Sequence, residues 1–226
     1  MRLKFRVIAA LSGALLCSPA LPQPAPSGSA TPPGATLSQP PGPGTPGQGA
    51  PAPVPQGAAA NLPTLVPESA DSSNVDEVML PTKPVAIMSG QSNWEDALKN
   101  LRAAIQHVRD ELGKAGIAIA GRPLTVFVET SDENFKFDAM VPIDKAPEGT
   151  PATAADIRFG ATPAGKAYRF VHKGPYDEID STYETITAYL DAKDIVAKDA
   201  FIEEYANEIV DPTDPNLEIN IFVQPK

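Results

Sequence analysis

The sequence from about Met79 to Lys226 predicts an α+β domain. Its plan is an antiparallel sheet with helices on one face, made of two strand–helix–strand–strand repeats related by a pseudo-two-fold axis. Three observations predict it. Two apolar stripes recur at helical spacing, each stripe is followed by two short alternating strands, and each repeat closes on a strand that runs into a proline.

The first repeat opens with the extended stretch Pro84-Val85-Ala86-Ile87-Met88 and Gly90, and a helix is expected from near Asn93. Leu98, Leu101, Ile105, Val108 and Leu112 then fall three and four apart, which puts them on one helical face. Lys114 and Gly116 supply the stop: a basic side chain in the last turn, then a residue free to leave the helix. Strands follow at Leu124–Glu129 and Phe135–Ile143, and Phe135, Phe137, Ala139 and Val141 share one face of the second. The second repeat keeps this order. Lys166–Lys173 is extended, Gly174-Pro175 turns, and Ile179, Tyr183, Ile186 and Leu190 form the helical stripe. Phe201–Ala206 and Leu217–Val223 complete it, and the closing strands end alike in Val141-Pro142 and Val223-Gln224-Pro225. One such unit is too small to bury both its helix and its sheet face, so the two should associate. That predicts a groove between the copies on the face away from the helices.

The N-terminus reads differently. Arg2, Lys4 and Arg6 precede the uncharged apolar run Val7–Cys17, and Ser18 and Ala20 stand at the small-residue positions of a signal-peptidase site. Residues 1–20 are therefore expected to be a secretory signal, delivering the chain to the periplasm or outside the cell. The run is too short to span a bilayer, which needs about 20 apolar residues. Cys17 is the single cysteine, so an intrachain disulfide and a cysteine-based metal site are excluded. A second reading anchors the chain to the membrane by a lipid on Cys17, against which Leu16 stands where that processing wants a small residue. Residues 21–78 read as a Pro-rich spacer. No charge occurs from Ser18 to Pro67, and 17 of the 26 prolines lie between Pro19 and Pro84. Such a composition cannot bury enough apolar surface to offset its ordering entropy.

Loss of Arg2, Lys4 and Arg6 with the signal takes the net charge from −10 to −13. That balance argues against nucleic acid or an anionic membrane surface as partner, since both select basic faces. Neither a phosphate loop, an HExxH zinc motif nor a GxSxG nucleophile elbow is present, and two histidines, His107 and His172, cannot build a multi-histidine metal site. No metal and no cofactor is expected.

One stretch is distinctive: His172-Lys173-Gly174-Pro175-Tyr176 leading into a helix, then Glu203-Glu204-Tyr205 on the following strand. With Gly90 and Trp94 at the matching turn of the first copy, these residues resemble the GyrI-like small-molecule-binding domain, the effector-binding domain of AraC-type regulators. The resemblance covers most of Val85 to Pro225. It implies a pocket for amphipathic, often cationic ligands, lined by a sheet carboxylate and aromatic rings. Carried onto this sequence, the ligand-binding candidates are Glu203, Tyr205, Trp94, Tyr176, Phe127 and Phe201. Alternation places Phe201, Glu203 and Tyr205 on one face of their strand and Ile202 and Glu204 on the other. A bulge would bring Glu204 forward instead. Matching the copies aligns Thr125 and Phe127 of the first with Glu203 and Tyr205 of the second, so both pairs are expected to face the groove. On the residues alone, Glu203 is a solvated strand carboxylate; the resemblance makes it the pocket's acid, fit for a cation through ion pairing and cation–π attraction. His172 is expected to satisfy local backbone, and Gly174-Pro175 to set the turn.

The family's regulators commonly carry a helix-turn-helix region where this chain has a signal and spacer, so the expected function is a non-enzymatic, exported small-molecule binder that sequesters or senses its ligand. Two alternatives stay open. One is a hydrolase of reactive small molecules, with Glu203 as general base and Tyr205 or Tyr176 as proton donor. The other is an interaction module docking an envelope protein.

Overall fold

The computed structural model describes residues 62–68, 74–149, 152–208 and 211–226. The expected signal and most of the spacer lie outside the described residues. Eight strands and two helices follow in order: β1 (Asp76–Leu80), β2 (Pro84–Asn93), α1 (Ala97–Lys114), β3 (Leu124–Thr130), β4 (Asn134–Pro142), β5 (Ile157–Ala161), β6 (Gly165–Lys173), α2 (Ile179–Ala192), β7 (Ala197–Tyr205) and β8 (Glu218–Pro225). A 3-10 turn over Tyr176–Glu178 leads into α2.

The strands form one antiparallel sheet in the order β1-β6-β8-β7-β3-β4-β2-β5. Each expected repeat is present as a block, β2-β4-β3 and β6-β8-β7, and the blocks meet at β3 and β7. In that seam Thr125 lies opposite Glu203 and Phe127 opposite Phe201. α1 buries the predicted stripe Leu98, Leu101, Ile105, Val108 and Leu112, and α2 buries Ile179, Ile186 and Leu190. Gly90 falls within β2 and not in a turn. A side chain there would lie 2.5 Å from the ring of Phe137, its partner across β4, so the position is held open for that ring.

The two strands missing from the sequence reading, β1 and β5, are exchanged between repeats. β1 precedes the first repeat yet pairs with β6 of the second, and β5 precedes the second yet pairs with β2 of the first. Only Pro81–Lys83 separate β1 from β2, and Thr162–Ala164 separate β5 from β6. In a flat sheet each such pair would stand about 29 Å apart at ~4.8 Å per strand. Four Cα steps reach at most about 15 Å. The sheet must therefore curl until its ends nearly meet. Thr162 ties the two connections, its hydroxyl donating to Pro81 O and accepting from Lys83 N, both at 2.9 Å.

The curl bends away from the helices. Leu80 and Ala167 from one end, Val85 and Ile87 from the other, and Val126, Ile202 and Phe222 between them form a single apolar cluster. Residues 62–68 enter that cluster through Leu65 and Val66. Their backbone is held by Glu204, which accepts from Leu65 N, by Arg122 N donating to Pro63 O at 3.2 Å, and by Arg169 donating to Pro67 O. The groove expected on this face is therefore absent among the described residues: the curl closes it and the 62–68 segment fills it. A domain boundary at Met79 also falls inside β1 and leaves out a segment that packs on the core.

Candidate functional site

The helix-bearing side carries the chemistry. Phe201, Glu203 and Tyr205 alternate along β7 onto this face, while Ile202 and Glu204 turn into the curl. No bulge intervenes, since Phe201 to Tyr205 pair in unbroken register with β8. Glu204 is a structural acid: fully buried, it accepts from Leu65 N and, at 3.0 Å, from Asn220 Nδ2.

Glu203 is 1% exposed. Three phenols surround its carboxylate. Tyr183 of α2 donates to Oε1 at 2.6 Å, and Tyr205 and Tyr176 reach Oε2 at 3.1 and 3.4 Å. Tyr205 also lies 3.1 Å from Thr125 Oγ1 on the neighbouring strand. Burial pushes the Glu203 carboxyl up to about 7, against the opposing pull of the three phenol donors. Burial and the adjacent acid hold all three tyrosines well above the ordinary phenol value, so they remain donors. Among the described residues no cation is a partner of Glu203. A buried carboxylate is ordinarily paired with one, because desolvation costs several kcal/mol.

The remaining candidates extend this cluster into an aromatic row. Phe201 meets the Tyr183 ring edge-on at 5.6 Å and neighbours Phe127 across the seam. Trp94 stacks over Phe127 at 6.5 Å and lies 4.6 Å from Phe135. Its indole N–H donates to Ser131 O at 2.9 Å, and 38% of the residue is exposed, at the solvent end of the row. Of the six predicted residues, Tyr205 and Tyr176 both reach the Glu203 carboxylate, while Phe201, Phe127 and Trp94 follow as neighbouring rings. The residue the sequence reading missed is Tyr183, taken there as part of an apolar stripe. Its signal was present: a tyrosine in an apolar stripe needs a partner for its hydroxyl, and Tyr183 stands seven residues after Tyr176, about two helical turns on.

His172 is buried and joins β6 to α2. Its Nδ1 lies 2.8 Å from Thr182 Oγ1, and its Nε2 lies 3.0 Å from Pro175 O, to which it donates. It serves local structure, as expected. Gly174 adopts φ +128°, a conformation that favours glycine, and so makes the turn that delivers Tyr176.

A cavity of about 610 Å³ opens beside the cluster, between α1 and the end of β7. Tyr205 lines it together with Lys99, Arg102, Gln106 and Arg109 of α1. This wall is basic, although Lys99 and Arg109 are each 3.6 Å from a carboxylate, Asp96 and Glu208. Among the described residues no group of acidic, histidine or cysteine side chains could hold a metal ion, and no helix is long and apolar enough to cross a membrane.

Comparison with known proteins bears on the family and the fold. A family model described as the GyrI-like small molecule binding domain matches residues 73–226. The crystal structure of the EcmrR C-terminal domain superposes with a TM-score of 0.56 at 17% identity, covering 68% of this chain and 97% of that one. An uncharacterized conserved protein from Listeria innocua gives 0.52 at 11% identity, over 70% and 94%. SAV2435 bound to tetraphenylphosphonium gives 0.48 at 15%, over 68% and 94%. At these identities the first two likenesses show a shared fold. No curated protein matches the sequence.

Proposed function

The chain belongs to the GyrI-like small-molecule-binding domain family, and from that premise we propose that it is an exported, non-enzymatic binder of amphipathic cations. The observation that carries the reading is Glu203: a buried carboxylate held by three phenols and, among the described residues, by no positive group. A ligand cation supplies the missing charge, and the rings of Tyr183, Phe201, Phe127 and Trp94 offer faces to its apolar parts. The basic wall of α1 disfavours a cation, so the ligand approaches along the aromatic row, displacing Tyr176 or Tyr183 as it reaches the acid. Release from the cytoplasm, and with it sequestering or sensing outside the cytoplasm, rests on the N-terminal charge and apolar pattern.

The test is titration with a lipophilic cation such as tetraphenylphosphonium, read by Trp94 fluorescence and by thermal shift. Binding is expected to be saturable and to weaken about 100-fold in Glu203→Gln, the scale of removing one partner from a buried charge pair. Equal affinity of the variant, or no response to cationic, neutral and amphipathic compounds alike, rejects the proposal. A second reading, hydrolysis of a reactive small molecule, is favoured by one observation: a carboxyl near 7 beside phenol donors suits a general base. Catalytic turnover of an electrophilic compound, lost in Glu203→Gln, would separate it from stoichiometric binding.

A further inference from the structure

The hydrogen bonds around Glu203 can be satisfied in two ways, and the difference lies in one hydroxyl. Tyr205 has a single proton and two oxygen neighbours at 3.1 Å, Glu203 Oε2 and Thr125 Oγ1. With the carboxylate ionised, Tyr205 donates to Glu203 and accepts from Thr125. With the carboxyl protonated, the chain reverses: Glu203 donates to Tyr205, and Tyr205 donates to Thr125. Both states keep two hydrogen bonds in a buried place where an unmade one is costly. Thr125 is 0% exposed and stands directly opposite Glu203 in the sheet register, so this second acceptor is built into the seam.

Among the described residues no group besides the three phenols acts on the charge of Glu203. From the 3-10 turn and α2 the acid is faced by Tyr176 and Tyr183, and from β7 by Tyr205. Asp180 acts on Tyr176, with the same sign as the carboxylate. β8 presents apolar Ile221 opposite Glu203. Lys99, Arg102 and Arg109 reach the cavity beside Tyr205, but no ion pair joins them to Glu203.

We propose that the ligand binds by proton exchange: its cation replaces the proton of Glu203, with the Tyr205–Thr125 hydroxyl pair reversing direction to keep the carboxyl group hydrogen-bonded in both states. This deepens the reading of the site as a cation binder and rests on it. The balance is one for one. A neutral Glu203 carboxylic acid and a cation give a carboxylate–cation pair, and one proton passes to solvent. Thr125 is thereby a positioning residue, acting through Tyr205. The raised titration of Glu203 puts the exchange within reach of ordinary pH.

The experiment is calorimetric titration of the full chain with tetraphenylphosphonium, whose charge does not depend on pH, in buffers of differing ionisation enthalpy. About one proton is expected to be released per ligand near pH 6 and almost none near pH 9. Thr125→Val removes the alternative acceptor and disfavours the protonated acid, so the half-release pH should fall by about one unit. Thr125→Ser should restore it. An infrared titration of the unliganded protein gives an independent readout: the protonated-carboxyl band assigned to Glu203 by its loss in Glu203→Gln should shift likewise in Thr125→Val. Binding without proton release at any pH overturns the exchange and leaves the binding site standing. Release that is unchanged in Thr125→Val overturns the role of the hydroxyl pair. Absence of binding at every pH overturns the site reading and the exchange with it.

Discussion

The two repeats place different side chains at equivalent points. At the seam the second copy offers Glu203 and Tyr205, and the first offers Thr125 and Phe127. The fifth residue of α2 is Tyr183, and the fifth of α1 is Leu101. Where the second copy leads into its helix with Tyr176, the first has Trp94. Thus every polar group of the cluster except Thr125 comes from one half, and the other half supplies apolar surface against it. Leu101 and Phe127 are buried in the same core as Phe201 and Tyr205. The duplication provides a symmetric frame, and an acid on the seam between two equal carboxylates would have repelled its own image. Only an asymmetric pair, acid facing alcohol, leaves a single charge there.

Making the first copy imitate the second should have the largest effect. Leu101→Tyr adds volume and a hydroxyl at a position that is 0% exposed, with no acid on its side of the seam. A loss of about 3 kcal/mol is expected in chemical denaturation. A smaller loss, with unchanged binding, would show that the first copy can also accommodate a phenol.

Next in size is the pH dependence that Glu203 alone imposes. Its carboxyl rises from 4.5 to about 7 on folding, so the folded chain holds an extra proton between those values. The associated stability is fully present below about pH 4.5, declines as pH rises through 7, and is then lost, by on the order of 3 kcal/mol. Denaturation curves of the wild type and Glu203→Gln at several pH values should diverge over that window. Parallel curves would place the acid in contact with water.

Making the second copy imitate the first should matter least. Tyr183→Leu takes the 2.6 Å donor from Glu203. About 1–2 kcal/mol should be lost near pH 8, where the acid is ionised, and less near pH 5, where it is neutral. An equal loss at both would mean that Tyr183 contributes by packing alone.

How much of this was legible in the sequence follows from the length and burial of each part. The α1 stripe and the alternation in β4 repeat often enough to identify themselves, and Glu203 with Tyr205 emerged from alternation together with a family resemblance. β1 and β5 are five residues each, with partly exposed patterns and one edge unpaired. Their placement depends on pairing with the other repeat, which no local period encodes. Tyr183 was hidden because a tyrosine in a helical stripe looks like any large apolar residue until its hydroxyl finds a partner. The site's face was misplaced for a related reason: the curl of the sheet comes from two three-residue connections, and their shortness constrains geometry only once the strand order is known. Leu65 and Val66 were lost within a Pro-rich stretch, although they are the two adjacent apolar residues that could pack there.

The exchanged edge strands also set an order of folding. β1 must wait for β6, so that Asp76 and its partner Arg169 meet only after a loop of about 90 residues closes. β7 must likewise find β3 across about 70 residues, with β4, β5, β6 and α2 between them. Contacts this distant in sequence make folding slow, and an incomplete chain has two unfinished sheets with open edges. Until the second repeat is made, β1 lacks its partner β6 and β3 lacks its partner β7. The same strand exchange that ties the halves together thus makes the finished sheet depend on its last-made strands.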